Sequence, residues 1–159
     1  MAGFGAPISG RFCAPDDSVT GANANYARIH GHLPKILVDG DEVELCDIYD
    51  AARDFIHLKI WRSSQGFSAL AMQGSNSAEL LMSNRKFEAD SRAVLVAKGN
   101  QFAGALAAGF NPRDYRIVLG LIRREAGDIP FFSRLTLMRA AERIVGRGLR
   151  TAFTVIAVQ

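Results

Sequence analysis

A chain of 159 residues, 48% apolar and 22% charged, is long enough to bury one core and too mixed in composition to be wholly disordered. No run approaches the roughly 20 apolar residues that cross a bilayer, and no basic segment precedes an apolar one at the N-terminus, so neither membrane nor secretion is expected and the cytoplasm is the default. The net charge of +3 hides an asymmetry: residues 1–109 hold ten Lys/Arg against twelve Asp/Glu (−2), and residues 110–159 hold nine Arg against four acids (+5).

An acidic centre followed by an Arg-rich segment suits a metal site beside a phosphate-binding face, although solvated helix faces give the same counts. Cys13 and Cys46 lie 33 positions apart without a Cys-x-x-Cys partner. That is neither a zinc signature nor a secreted disulfide framework.

Residues 1–25 are rich in Gly, Ala, Ser, Asn and Asp and show no period, which predicts a flexible or irregularly docked arm before a single α/β domain over 26–159. A helical turn is expected near Tyr26–His30. His30-Gly31-His32 flanks a glycine beside Pro34 with no third ligand nearby, and reads as a loop. The Asp39-Gly40-Asp41 step between apolar runs predicts a hairpin, with Val43, Leu45 and Ile48 continuing its second strand.

Ala51–Asp54 makes the next turn. Phe55–Trp61 then alternates as a strand, with Ile56, Leu58 and Ile60 on one face and Phe55, His57, Lys59 and Trp61 on the other. A lysine and a histidine on one face call for a polar setting.

Ser63-Ser64 caps a short helix over Phe67–Met72, Gln73-Gly74 ends it, and Ser77 opens another. A helix follows over about Asn84–Lys98, with Phe87, Ser91, Val94, Leu95 and Lys98 on one side and Gly99-Asn100 as its stop. Residues 101–113 read as a connecting loop or a loose helix. Arg116–Ile122 (RIVLGLI) is a buried strand. Ser133 caps a helix running to Arg147, with Leu137, Met138, Ala141, Ile144 and Val145 as its apolar face and Arg139, Arg143 and Arg147 as a basic stripe. Thr151–Val158 is the final strand. A strand–helix–strand of this length implies a parallel pair joined by a right-handed crossover.

The chemistry concentrates in Glu44–Gly74. Glu44 and Asp47, with Asp50 and Asp54 nearby, are hard oxygen donors suited to a divalent cation such as Mg2+. Asp47, nine intervening residues, and then His57-Leu58-Lys59 set a carboxylate and a lysine on neighbouring strands of a hairpin. A cation held by Glu44 and Asp47 would activate water, Lys59 would stabilise developing oxyanion charge, and His57 would serve as base or ligand. Arg62, Ser63, Ser64, Gln73, Arg139 and Arg143 are candidate nucleic-acid contacts. Polar turn residues, an exposed strand edge and a solvated arginine face explain the same positions without a site.

The pattern Asp47-x9-His57-x-Lys59 across a hairpin, closed by RIVLGLI, FFSRLTLMRAAERI and TAFTVIAV, resembles the PD-(D/E)XK nuclease fold and its Mrr-like branch. His57 stands where that pattern has an acid or Gln. The resemblance implies a restriction-endonuclease-like mixed central sheet flanked by helices, and a Mg2+-dependent nuclease acting on DNA or RNA. The alternative is a catalytically inactive nucleic-acid-binding or protein-assembly module on the same fold.

A second resemblance rests on ELCD, IHLK, FSALAMQGSNSAELL and IPFFSRLTLMRAAERIVGRG, and covers about Tyr26 to Val158. These segments are similar to the C-terminal part of the "sporadically distributed" bacterial family of unknown function, found in mobile or defence-associated regions, whose members are longer. Ser68-Ala69 stands where the family has Ser-His. Expected partners are nucleic acid and either a second copy or another subunit.

Overall fold

The computed structural model describes residues 25–29, 36–38, 41–61, 63–123 and 128–157. The arm up to residue 24, His30 and His32, the Asp39-Gly40 turn and Arg62 lie outside the described residues.

A five-stranded mixed sheet forms the centre. Strands β1 (Tyr26–Arg28), β4 (Ile48–Asp50), β5 (Asp54–Ile60), β6 (Arg116–Arg123) and β7 (Arg150–Ala157) lie in the order β1-β4-β5-β6-β7. The β1–β4 and β4–β5 pairs are antiparallel, and the β5–β6 and β6–β7 pairs are parallel. Strands β2 (Ile36–Val38) and β3 (Asp41–Val43) make a separate antiparallel pair, with Val38 opposite Asp41. Helices α1 (Ser64–Ser83) and α2 (Arg85–Ala97) connect β5 to β6, and α3 (Phe131–Gly146) connects β6 to β7. This α/β sheet with flanking helices is consistent with the restriction-endonuclease-like arrangement. Among the described residues, no helix is long and apolar enough to cross a membrane.

The hairpin that matters is β4–β5. Its turn, Ala51–Arg53, is closed by the Arg53 N–H donating to the Asp50 carbonyl (2.8 Å), with Arg53 itself at φ 71°. Tyr49 faces Phe55 across the pair, their ring centroids 5.0 Å apart. Phe102 and Tyr115 extend this aromatic cluster.

Four expectations change. Tyr26–Arg28 is a strand, because it pairs with β4 and the Ile29 N–H continues the pairing onto the Asp47 carbonyl. The strand after the first hairpin stops at Val43, since Leu45 and Cys46 turn inward and are buried before β4 begins in the other sheet. Helix α1 runs unbroken through Gly74-Ser75-Asn76. Phe67, Leu70, Ala71, Ala78 and Leu81 recur at helical spacing on its buried side, and that burial outweighs the roughly 1 kcal/mol that an interior glycine costs against alanine. Helix α3 opens at Phe131, with the Arg134 N–H bonded to the Pro130 carbonyl (3.0 Å), so Ser133 is a buried residue of the first turn and not its cap. Helix α2 is as read, with Asn84 accepting from the Phe87 N–H (2.9 Å).

One ion pair ties the start of β5 to the start of β6. Arg116 Nε donates to Asp54 Oδ1 (3.0 Å), and its Nη2 binds Asp54 Oδ2. The hydrogen bond, together with the nearby carboxylate charge, raises the Arg116 guanidinium above its usual value against the opposing effect of burial. Asp54 is buried while Arg116 is a third exposed, so the pair is only partly desolvated. Asp54→Asn is expected to cost about 1–2 kcal/mol, between the roughly 1 kcal/mol at most of an exposed pair and the roughly 3–5 kcal/mol of a buried one. In thermal unfolding that is a fall of roughly 3–6 °C for a chain of this size.

Candidate functional site

Helix α1 is seated directly on β6. A Cβ at Gly74 would lie 2.4 Å from Leu119 Cδ2 and 3.2 Å from Ile117 Cγ2, so the absence of a side chain there allows the approach. One turn of α1 then clamps the loop that leads into β4. Gln73 Nε2 donates to Glu44 Oε2 (3.2 Å), and Ser77 Oγ donates to the Leu45 carbonyl (2.7 Å). Gln73 and Ser77 are four apart, hence on one helix face. Ser77, read from the sequence as a helix start, is not among the candidate site residues. The signal for it was that i, i+4 spacing, which is hidden as soon as Gly74 is read as a helix stop.

Asp47 is held against β5 from two sides. Its N–H donates to the Ile56 carbonyl (2.9 Å), and its Oδ2 accepts from the Leu58 N–H (2.6 Å). A carboxylate taking a backbone N–H is a strong, charge-assisted contact. It fixes Asp47 beside the strand segment that carries His57 and Lys59. Glu44 and Asp47 flank Cys46. Burial first, then the negative charge of Asp47 and Glu44, pushes the Cys46 thiol well above its usual pKa, so it stays protonated as a small core side chain.

His57 and Lys59 share the face of β5 that α1 covers, with His57 in register with Leu119 and Lys59 with Leu121. Their depths differ. Lys59 is half-buried, whereas His57 is 1% exposed. The polar setting expected for the pair is absent at His57. Burial lowers its pKa from 6.5 to about 4, and the ring is neutral at pH 7. Its Nε2 has no hydrogen-bond partner, and neither has the buried Gln73 Oε1.

The remaining candidates are dispersed. Ser63 sits at the N-cap of α1 without a side-chain cap bond. Trp61 packs edge-on to Phe67 (5.4 Å) and carries the Arg123 guanidinium 5.0 Å above its ring. Arg139 and Arg143 are exposed on α3, which packs on α1 and β7, two strands away from β5. Arg147, the third of that stripe, is spent on an ion pair with Glu79. So Glu44, Asp47, Gln73, His57 and Lys59 are gathered around the β4–β5 pair under α1, while the arginines lie elsewhere. Among the described residues, no three His, Cys, Asp or Glu side chains form a group able to hold a metal ion.

No curated protein and no solved structure matches the chain. A family match spans residues 25–157, which takes in every strand and helix described above, and it carries no nuclease assignment. The resemblance to a family of unknown function is thereby met, and the chain belongs to the family of unknown function DUF6119.

Proposed function

We propose that the domain is a metal-dependent phosphodiesterase, nuclease-like, acting on nucleic acid in phage defence or a mobile element. The observation that carries this reading is the pinning of Asp47 to β5 by the Leu58 N–H, one residue from Lys59. It orients the Asp47 carboxylate against the β5 residue that precedes the half-buried Lys59.

Mg2+ is commonly held by one or two carboxylates together with water and substrate phosphates. The donor chemistry of Asp47 and Glu44 fits that habit, with Gln73 and the Leu58 N–H orienting one oxygen of each. When bound, the cation supplies Lewis acidity at a phosphoryl oxygen. The Lys59 ammonium stabilises charge that develops on the phosphate oxygens. His57, sealed and neutral, supports the strand beneath Lys59 and does not exchange protons with substrate.

Plasmid, linear duplex and RNA incubated with purified protein should be cut only when Mg2+ or Mn2+ is present. Lys59→Ala should slow that cleavage by roughly 100-fold or more, the usual loss on removing a transition-state donor. Absence of cleavage with metal, or an undiminished rate in Lys59→Ala, overturns the reading.

A second reading, a non-cleaving nucleic-acid-binding or assembly module, is favoured by the want of a third acidic or histidine ligand among the described residues. Binding that falls steeply with salt, with every substrate left intact, would establish it.

A further inference from the structure

Helix α3 has two apolar faces. The inner one, Ser133, Leu137, Ala140 and Ile144, is buried. The outer one is Phe131, Leu135, Met138 and Val145, at 64%, 37%, 60% and 57% exposure. The spacing of 4, 3 and 7 residues places these four on one stripe, about half a turn from the buried set. Met138 and Val145, expected in the core, are therefore surface residues. Phe132 lies beside the stripe, edge-on to Phe131 at 5.4 Å. Phe131, Leu135 and Met138 make an unbroken apolar row over two turns, and Val145 resumes it beyond Glu142, which holds the intervening place on the stripe; this is more than the scattered apolar exposure of an ordinary surface.

The flanks of the stripe are basic. By helical angle Arg134 lies along one side, and Arg139 and Arg143 along the other, all exposed. Glu142, exposed within the stripe, is the one acid of the helix, so the arginines of the flanks stay in excess. A second copy docked here would set arginine against arginine, which disfavours self-association. Nucleic acid would pair with the arginines and leave Phe131, Leu135, Met138 and Val145 wet. A partner that buries the stripe and neutralises both flanks is an apolar helix edged with acids.

We propose that the outer face of α3 docks an amphipathic helix of a partner protein, one whose 4-3 apolar stripe is flanked by Asp and Glu. The proposal is independent of the phosphodiesterase reading. Apolar contacts supply the affinity, and the arginine flanks select the partner and its register.

The test uses two synthetic helices of about three heptads, alike in their apolar stripe and flanked by Glu in one and Lys in the other. The full chain should bind the Glu-flanked helix at least about tenfold more tightly, with affinity falling as salt rises. Met138→Asp should abolish binding without moving the thermal unfolding midpoint, because Met138 is exposed. Arg139→Glu with Arg143→Glu should reverse the preference towards the Lys-flanked helix. Equal binding of both helices, or of neither, overturns the proposal. So does a dimer that sedimentation detects and Met138→Asp dissolves, which puts a second copy on this face. Binding to phosphatidylserine vesicles in place of either helix, lost in Met138→Asp, puts a lipid surface there and overturns it as well.

Discussion

Gly74→Val should destabilise the chain by about 2–3 kcal/mol, read as a lower denaturant midpoint with an unchanged slope. The site is already closed: a Cβ there would fall 2.4 Å from Leu119 Cδ2 and 3.2 Å from Ile117 Cγ2, and both of those residues are buried. Forcing carbon into a packed core costs roughly 1–3 kcal/mol. The few tenths that valine recovers in helix propensity over glycine do not offset it. The consequence reaches beyond stability. If α1 lifts from β6, Gln73 and Ser77 lift with it, and the loop carrying Glu44 and Leu45 loses its two anchors. A variant as stable as the parent would mean that α1 is not seated through Gly74.

Stability should also fall as pH drops from about 6.5 towards 4, by up to roughly 3 kcal/mol, through His57 alone. Its pKa is near 6.5 in the unfolded chain and about 4 in the fold, where burial disfavours the charged ring. Between those values the unfolded chain binds a proton that the folded chain does not. Each unit of difference is worth about 1.4 kcal/mol, so the stabilisation is complete above 6.5 and is spent by about 4. His57→Leu removes the titrating group and leaves a shape-compatible apolar side chain. Unfolding curves at pH 7.5 and 4.5 should then differ less for the variant than for the parent. The same pH slope in both would mean that His57 is charged in the fold.

Much of the fold was legible because local signals and tertiary demands agreed. The β4–β5 hairpin follows from alternation around a polar turn. Helix α2 follows from Asn84 and its buried row, and the β6–α3–β7 close from two β-branched runs around a helical period. Where they disagreed, tertiary contact decided. Gly74 reads as a helix stop from its own propensity, yet it is the point where α1 touches the sheet. Tyr26–Arg28 is too short to show a strand period and is a strand only through β4.

The site was half legible for a related reason. Period two puts His57 and Lys59 on one face, and they are on one face. It says nothing about depth along the strand. Position 57 lies under α1 in the middle of β5, and position 59 lies near the C-terminal end of that strand, so one ring is dry and one ammonium partly wet. On α3 the sequence merges two apolar stripes into one: Leu137 and Met138 are neighbours in sequence and about 100° apart around the helix, enough for one to be buried and the other exposed.

The central claim, a cation held by Asp47 and Glu44 beside Lys59, is tested most directly by Mn2+ added in small amounts to isotope-labelled protein. The backbone amide signals of Glu44, Asp47, Leu58 and Lys59 should broaden first, while those of Arg150–Ala157 on β7 stay sharp. In Asp47→Asn the broadening should disappear. Broadening centred on another part of the chain, or unchanged in Asp47→Asn, would contradict the claim.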